Sequence, residues 1–310
     1  MRQIGGDKMK IQGTDIERAE MCGIFPATVT PFDAENRIDE TAMLKLMERG
    51  LSEGAAGFFI GGSSAECFLL THEEREKTFA VAAQMKGKTH LIAHVGAIGT
   101  DEAIAYAKTA KSLGFDLISA TAPFYYKHSM DAIAGYYRDI YEAVELPIVI
   151  YNFPGNTGVE FDLSNKAIVE LLQSGVIAGV KHTNRDLYQL ERFRNRNPQL
   201  LLYCGFDEIL SGAEAMGCDG AIGSTFNFML PHYLKIWDAC KKQDRALALK
   251  LQYDANIIME AICAAGLIPS IKSILRMQGN DVGAPRRPFA PLSPEMEEEI
   301  AQILETHLVK

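Results

Sequence analysis

Eight short apolar runs, each bounded by turn residues and followed by a stretch with helical apolar spacing, constrain this 310-residue chain more than any other feature. They are residues 23–32 (a strand running into a loop), 57–60, 91–95, 117–120, 147–151, 176–181, 200–203 and 220–223. Apolar runs of this length flanked by turn residues read as buried strands. Strands that alternate with helices build a parallel sheet, because each right-handed crossover returns the chain to the same end. Eight such units at a spacing of about 20 to 35 residues match an α/β fold of the (β/α)8 TIM barrel class. A doubly wound open sheet is the alternative, but no G-x-G-x-x-G follows the first run. The sequence does not repeat at that period, so a solenoid is excluded.

Cap signals punctuate the helical stretches. Asp39 opens the first, and Thr71-His72-Glu73-Glu74 is a capping box. From Asp244 onward no strand follows, the spacing of Ala246, Leu249, Ile258 and Ile262 is helical, and Ser293-Pro294 caps a last helix after a proline-rich connector. The expected organisation is a flexible extension at 1–21, a barrel at 22–243 and a C-terminal helical region at 244–310.

The formal charge of −9 argues against a nucleic-acid partner, since phosphate binding needs clustered Lys and Arg. No apolar run approaches the roughly 20 residues that span a bilayer. Cys22, Cys67, Cys204, Cys218, Cys240 and Cys263 show no C-x-x-C pair or ligand spacing, and the N-terminus carries no secretory signal, so a reduced, cytoplasmic setting is expected. His94, His128, His182 and His232 lack metal-ligand spacing.

Barrels of this class carry their chemistry at the carboxyl ends of the strands. The sixth run ends on Lys181. A lysine there either snorkels to the rim or, if buried, loses its proton near neutral pH and becomes a nucleophile toward a ketone. Gly61-Gly62-Ser63-Ser64 offers backbone N–H groups and two hydroxyls just before a helix, which suits an anion or is a plain tight turn. Tyr151 ends the fifth run, as a proton shuttle or as a core tyrosine. Asp207 and Glu208 after the seventh run would bind sugar hydroxyls or sit in an exposed loop.

Four motifs in one order, Gly-Gly-Ser-Ser-Ala-Glu at 61–66, Tyr-Asn-Phe-Pro at 151–154, Gly-Val-Lys-His-Thr at 179–183 and Gly-Ala-Ile-Gly-Ser-Thr at 220–225, closely resemble the dihydrodipicolinate synthase and N-acetylneuraminate lyase family of class I aldolases. The resemblance runs from about Gly23 to Pro291. It implies that Lys181 forms an imine with pyruvate and that Tyr151 moves the proton of the substrate hydroxyl. Ser63 and Ser64 would hold the carboxylate, and Tyr125 would reach a neighbouring subunit's site in a homotetramer of tight dimers. It implies a small 2-keto acid as substrate, and no metal or organic cofactor.

Within the family, the synthase branch carries an arginine where this chain has Asn156, which argues against aspartate semialdehyde as partner. The lyase branch resembles this chain at Lys181 to Gln189, at Tyr203 to Glu208 and at Gly223 to Asn227. By that resemblance Thr183, Gly205, Asp207, Glu208 and Ser224 would bind the polyol and N-acyl portion of a sialic acid. Ala65 stands where the family has glycine and would be strained if that position needs a positive φ. Ser64 stands for the usual threonine, and Asn184-Arg185 for small residues. The expected activity is cleavage of N-acetylneuraminate to N-acetylmannosamine and pyruvate. The alternatives are a lyase or dehydratase for a smaller 2-keto-3-deoxy sugar acid, a dihydrodipicolinate synthase-like enzyme, and an idle barrel that senses a keto acid.

Overall fold

The computed structural model describes residues 9–309. Strands β1 (Gly23–Pro26), β2 (Gly57–Ile60), β3 (His90–His94), β4 (Leu117–Thr121), β5 (Ile148–Asn152), β6 (Ile177–His182), β7 (Leu201–Cys204) and β8 (Gly220–Gly223) form one parallel sheet in the order β1-β8-β7-β6-β5-β4-β3-β2. Its two ends meet at a parallel bridge between Ala27 and Phe59. There the Thr28 N–H donates to the Phe59 carbonyl at 3.0 Å, so the sheet curls into a (β/α)8 barrel. Every expected run overlaps a strand, with strand starts within one residue of those expected.

Nine helices alternate with the strands among the described residues: α1 (Glu40–Glu53), α2 (His72–Ala82), α3 (Thr100–Leu113), α4 (Met130–Val144), α5 (Pro154–Thr157), α6 (Lys166–Gln173), α7 (Leu187–Arg196), α8 (Leu210–Ala215) and α9 (Phe226–Lys241). The single turn α5 has no apolar period to betray it; Pro154 at its first position starts it and Gly158 ends it in the left-handed region. Asp39 caps α1 by accepting from the Ala42 N–H at 2.9 Å, and the Thr71–Glu74 box is reciprocal. Then come α10 (Arg245–Ala265), α11 (Leu267–Met277) and α12 (Pro294–His307), with Asp244 and Ser293 as N-caps of α10 and α12. Among the described residues no single helix is long and apolar enough to cross a membrane.

Alternation along the strands sorts the core into two layers. Phe25, Phe59, Ile92, Leu117, Val149, Leu201, Tyr203 and Ile222 fill the barrel interior, while Ile24, Phe58, Ile60, Leu91, Ile118, Ile150 and Leu202 face the helices. β6 breaks the alternation. Ile148 pairs with Ile177 but Val149 pairs with Gly179, so β6 carries one extra residue. Ile177 and Val180, three apart, both face the helices, and Ala178 faces inward. A period of two cannot do this without a bulge. The bulge resets the phase and turns Lys181 into the barrel. It sits at Gly179, where a Cβ would lie 2.4 Å from the Leu201 carbonyl oxygen.

Residues 9–21, expected to be flexible, are packed across the amino-terminal end of the barrel. Ile11 and Met21 join the interior cluster, the Tyr203 hydroxyl donates to the Met21 carbonyl at 2.7 Å, and Arg18 pairs with Asp219 at 2.6 Å. The polar composition of the segment hid the two apolar side chains that anchor it. Residues 1–8 of that expectation lie outside the described residues.

Candidate active site

Lys181 is 3% exposed, and Tyr151 is its register partner across β5 and β6. Its Nζ lies 3.9 Å from the centre of the Tyr151 ring and 4.3 Å from that of Phe59. No carboxylate pairs with it among the described residues. Burial lowers its pKa from 10.5 to about 7, against the opposing pull of Asp207 and of Cys67. That fall corresponds to roughly 5 kcal/mol, more than the ~0.5–2 kcal/mol by which ring faces favour an ammonium. Desolvation therefore wins, and a large fraction of the amine is neutral at pH 7.

Tyr151 is packed between aromatic groups. Phe59 and His94 meet it edge-on, and Phe153 stacks on it at 5.7 Å. Burial pushes its phenol up to about 12, so the group is protonated at neutral pH, and its hydroxyl donates to Ser63 Oγ over a long 3.5 Å.

Ser63 belongs to the loop after β2, beyond which α2 starts with Thr71 as its N-cap, as expected, and the structure decides the conditional reading of Ala65. Within the loop, Ser63–Ala65 and Cys67–Leu69 are two 3-10 turns. Ala65 is not strained. The left-handed residue is Glu66, with φ 57°, while Ala65 lies inside the first turn and its carbonyl accepts from Thr30 Oγ1 at 2.8 Å. Ser64, half-buried, lies between Ser63 and Ala65 in that turn.

Glu66, which the sequence reading assigned no role, fixes the loop from behind. Its carboxylate is fully buried, 2.7 Å from Lys272 Nζ on α11, and accepts the Arg286 backbone N–H at 2.6 Å. Burial lowers the Lys272 pKa against the pull of Glu66. His94 backs the same loop, with Nδ1 3.0 Å from the Gly61 carbonyl. Its Nε2 faces the Thr121 N–H at 3.4 Å, and Nδ1 also lies 3.1 Å from the Arg75 guanidinium. Burial and then the neighbouring Arg75 guanidinium hold this imidazole well below its ordinary pKa, hence neutral.

On the other side of Lys181 stand the residues expected to meet the far end of a substrate. Thr183 follows β6 and its N–H donates to the Asn152 carbonyl at 2.8 Å. Gly205 follows β7, where a Cβ would come within 1.9 Å of Thr183 Oγ1. Asp207 is buried, and one oxygen accepts from the Thr225 N–H at 3.0 Å and from Thr225 Oγ1 at 2.7 Å. Burial pushes its carboxyl up to about 6 in spite of the Thr225 bonds. Its other oxygen, Oδ1, has no hydrogen-bond partner among the described residues, and only a glycine at 223 leaves room beside it. Glu208 and Ser224 are half-buried in the adjoining turns.

Tyr125 is not brought to the site within one chain. It is 83% exposed, has φ 77°, and among the described residues its ring pairs with that of Tyr126, edge-on at 5.1 Å. A cleft of about 520 Å3 opens above Ser63, walled by Phe124, Phe153, Asn156 and Phe289. Asn156 puts no charge on it. Arg185, whose direction the sequence left open, lies over the Phe206 ring at 5.9 Å; Phe206 in turn meets Phe153 edge-on at 6.0 Å. A buried, largely neutral amine beside a protonated phenol, between hydrogen-bonding hydroxyls and a polar far wall, is equipped for imine chemistry on a keto acid.

Comparison with known proteins agrees with this chemistry. The dihydrodipicolinate synthetase family profile matches residues 20–307. Among solved structures, CdNal from Clostridium difficile, in complex with mannosamine, is 35% identical with a TM-score of 0.89, covering 93% of this chain and 99% of its own. N-acetylneuraminate lyase from Fusobacterium nucleatum is 34% identical with a TM-score of 0.88, covering 94% and 100%. N-acetylneuraminate lyase from Mycoplasma synoviae is 30% identical with a TM-score of 0.85, covering 94% and 99%. The chain therefore belongs to the dihydrodipicolinate synthetase family and is one of its pyruvate-dependent class I aldolases.

Proposed function

We propose that this enzyme cleaves N-acetylneuraminate reversibly to N-acetylmannosamine and pyruvate through an imine on Lys181. The observation that carries the chemistry is the bulge in β6, which aims a buried amine, of pKa about 7 and without an ion-pair partner among the described residues, at the Tyr151 ring. The neutral amine adds to the C2 ketone of the open-chain sugar acid, and the Tyr151 phenol gives its proton to the departing carbinolamine hydroxide, which leaves as water, giving a protonated imine and a Tyr151 phenolate. Tyr151 takes the proton of the C4 hydroxyl, the C3–C4 bond breaks, and its electron pair enters the imine to give a neutral enamine while the aldehyde departs. C3 is then protonated, and water hydrolyses the imine to release pyruvate and regenerate the amine. Because the phenol is weakly acidic at about 12, its phenolate is a strong base, and the imine cation beside it is what stabilises that phenolate long enough to act.

The keto-acid carboxylate would lie against Ser63 and Ser64, and the polyol and N-acyl portion against Thr183, Gly205, Asp207, Glu208 and Ser224. The uncharged Asn156 speaks against a second carboxylate on the aldehyde partner, and the similarity to N-acetylneuraminate lyases speaks for the sugar. The same reading carries a homotetramer of tight dimers in a reducing cytoplasm, with Tyr125 completing the relay through Ser63 of a neighbouring subunit. A bulky residue held at positive φ with its ring in solvent is what such a contact would explain.

The test has two arms. Borohydride added with pyruvate is expected to trap a reduced adduct on Lys181, located by peptide mass, and an unmodified Lys181 at saturating pyruvate overturns the mechanism. Pyruvate release, coupled to lactate dehydrogenase, is expected to be faster from N-acetylneuraminate than from shorter 2-keto-3-deoxy acids. The reverse ranking overturns the substrate.

A further inference from the structure

The turn that carries Asp207 and Glu208 is poorly capped by its own sequence. It is a 3-10 turn, Asp207–Ile209, running into the six-residue α8, and neither Phe206 nor Ile209 supplies a side-chain cap. The Ser211 N–H, in the first turn of α8, would be left without an intrahelical acceptor. Two amides on α10 meet these needs. Gln252, 4% exposed, accepts the Ser211 N–H on Oε1 at 3.0 Å. Its Nε2 donates to the Asp207 carbonyl at 3.1 Å and to Asn256 Oδ1 at 3.0 Å. Asn256, one helical turn on, then donates from Nδ2 to the Glu208 carbonyl at 3.0 Å. The donor and acceptor sense is consistent along the whole chain of bonds, so neither amide can flip without losing one.

The two acids depend on this clamp to different degrees. The Asp207 carboxylate is held a second time, by Thr225. Glu208 has no other hold: its side chain makes no hydrogen bond or ion pair among the described residues, and its side-chain hydrogen-bonding capacity is available to a ligand. An outer helix that only packed on the turn would do so with apolar side chains. Here two amides are committed to three backbone groups of the turn.

We propose that Gln252 and Asn256 are positioning residues that set specificity for the far end of the substrate by fixing where Glu208 stands. The proposal rests on the reading of that turn as the polyol site. Asn256→Ala is the variant to read first, because the position is half-buried in a helix and alanine is favoured there. Gln252→Glu keeps the acceptor for Ser211 and removes the donor to Asp207. For each, the KM for N-acetylneuraminate is expected to rise about five- to tenfold, the loss of roughly one hydrogen bond's positioning. The KM for a 2-keto-3-deoxy acid that lacks the glycerol tail, and the pyruvate dependence of borohydride trapping on Lys181, are expected to stay at wild-type values.

A merely structural role would move the long acid, the short acid and the trapping together, and that outcome overturns the proposal. So does an unchanged ratio of long-acid to short-acid KM. If Gln252→Glu does not fold, Asn256→Ala alone decides, since it leaves the Ser211 and Asp207 bonds in place. A wild-type enzyme that does not cleave N-acetylneuraminate overturns the substrate reading and this proposal together. A wild type that cleaves it, with variants of unaltered ratio, overturns this proposal alone.

Discussion

The two sides of the site are held in place from the same C-terminal region but by different forces. The keto-acid side, the loop from Gly61 to Glu66, is tied to α11 by a buried ion pair and to the Arg286 backbone N–H by a hydrogen bond to the same carboxylate. The polyol side, the turn from Asp207 to Ile209, is tied to α10 by neutral amides. A buried charge pair tolerates almost no displacement, because separating the partners leaves two desolvated ions. Neutral hydrogen bonds can be exchanged for water at a net cost of about 0.5–1.5 kcal/mol each. The difference teaches that the loop expected to grip the common half of every substrate is the stiff one, whereas the turn expected to read the variable half is the adjustable one.

The largest effect that would break this comparison is at Lys272. Lys272→Met leaves Glu66 ionised and buried without its partner, which costs about 3–5 kcal/mol. In urea unfolding the variant is expected to lose stability of that size, whereas Asn256→Ala loses about 1 kcal/mol. Equal losses would mean that the two ties are of one kind. A loss under about 1 kcal/mol for Lys272→Met would mean that the Glu66 pair is not the anchor of its loop.

Much of the fold was legible because glycines and short apolar runs mark strands locally, and Asp39, Thr71, Asp244 and Ser293 mark helix starts in the same local way. Lys181, Tyr151 and Ser63 could be read from the ends of those runs and from the motifs around them. What stayed hidden is pairwise. The bulge that turns Lys181 inward exists only in the register between β5 and β6; no feature of residues 176–181 alone announces it. Glu66 lay inside a quoted motif, but the segment that satisfies it is 220 positions away at Arg286. Gln252 and Asn256 carry no motif of their own, and only their closeness to Asp207 and Glu208 gives them meaning. Tyr125 could be singled out, yet one chain cannot supply the contact expected of it.

The two sides should also titrate separately. The neutral amine of Lys181 is the nucleophile, so the rate of imine formation with pyruvate should fall tenfold for each unit below pH 7 and level off above it. Stopped trapping at fixed pyruvate across pH 5 to 9 reads this directly. A rate still rising tenfold per unit at pH 9 would show an ordinary lysine and remove the reason for its burial. Asp207, at about 6, titrates lower. The KM for the sugar acid should therefore rise below pH 6, where the carboxylate that would accept from the polyol is lost.

Thr225→Val sharpens that separation with the smallest change. It deletes the hydroxyl that donates to Asp207 at 2.7 Å and keeps the backbone N–H. A hydrogen bond to a charged group contributes about 1.5–3 kcal/mol, so the Asp207 pKa should climb by about one unit or somewhat more. At pH 7 the carboxylate would be partly protonated, and the KM for N-acetylneuraminate should rise two- to fivefold, on the order set by that shift. At Lys181 the change should be small and opposite in sign, because the negative field of Asp207 raises the amine's pKa and a protonated Asp207 no longer does. The trapping profile should thus move slightly to lower pH while the sugar-acid profile moves to higher pH. If both move the same way by the same amount, the two sides are a single electrostatic unit, and the contrast between a charge-locked loop and an amide-held turn does not describe how this enzyme tells its substrates apart.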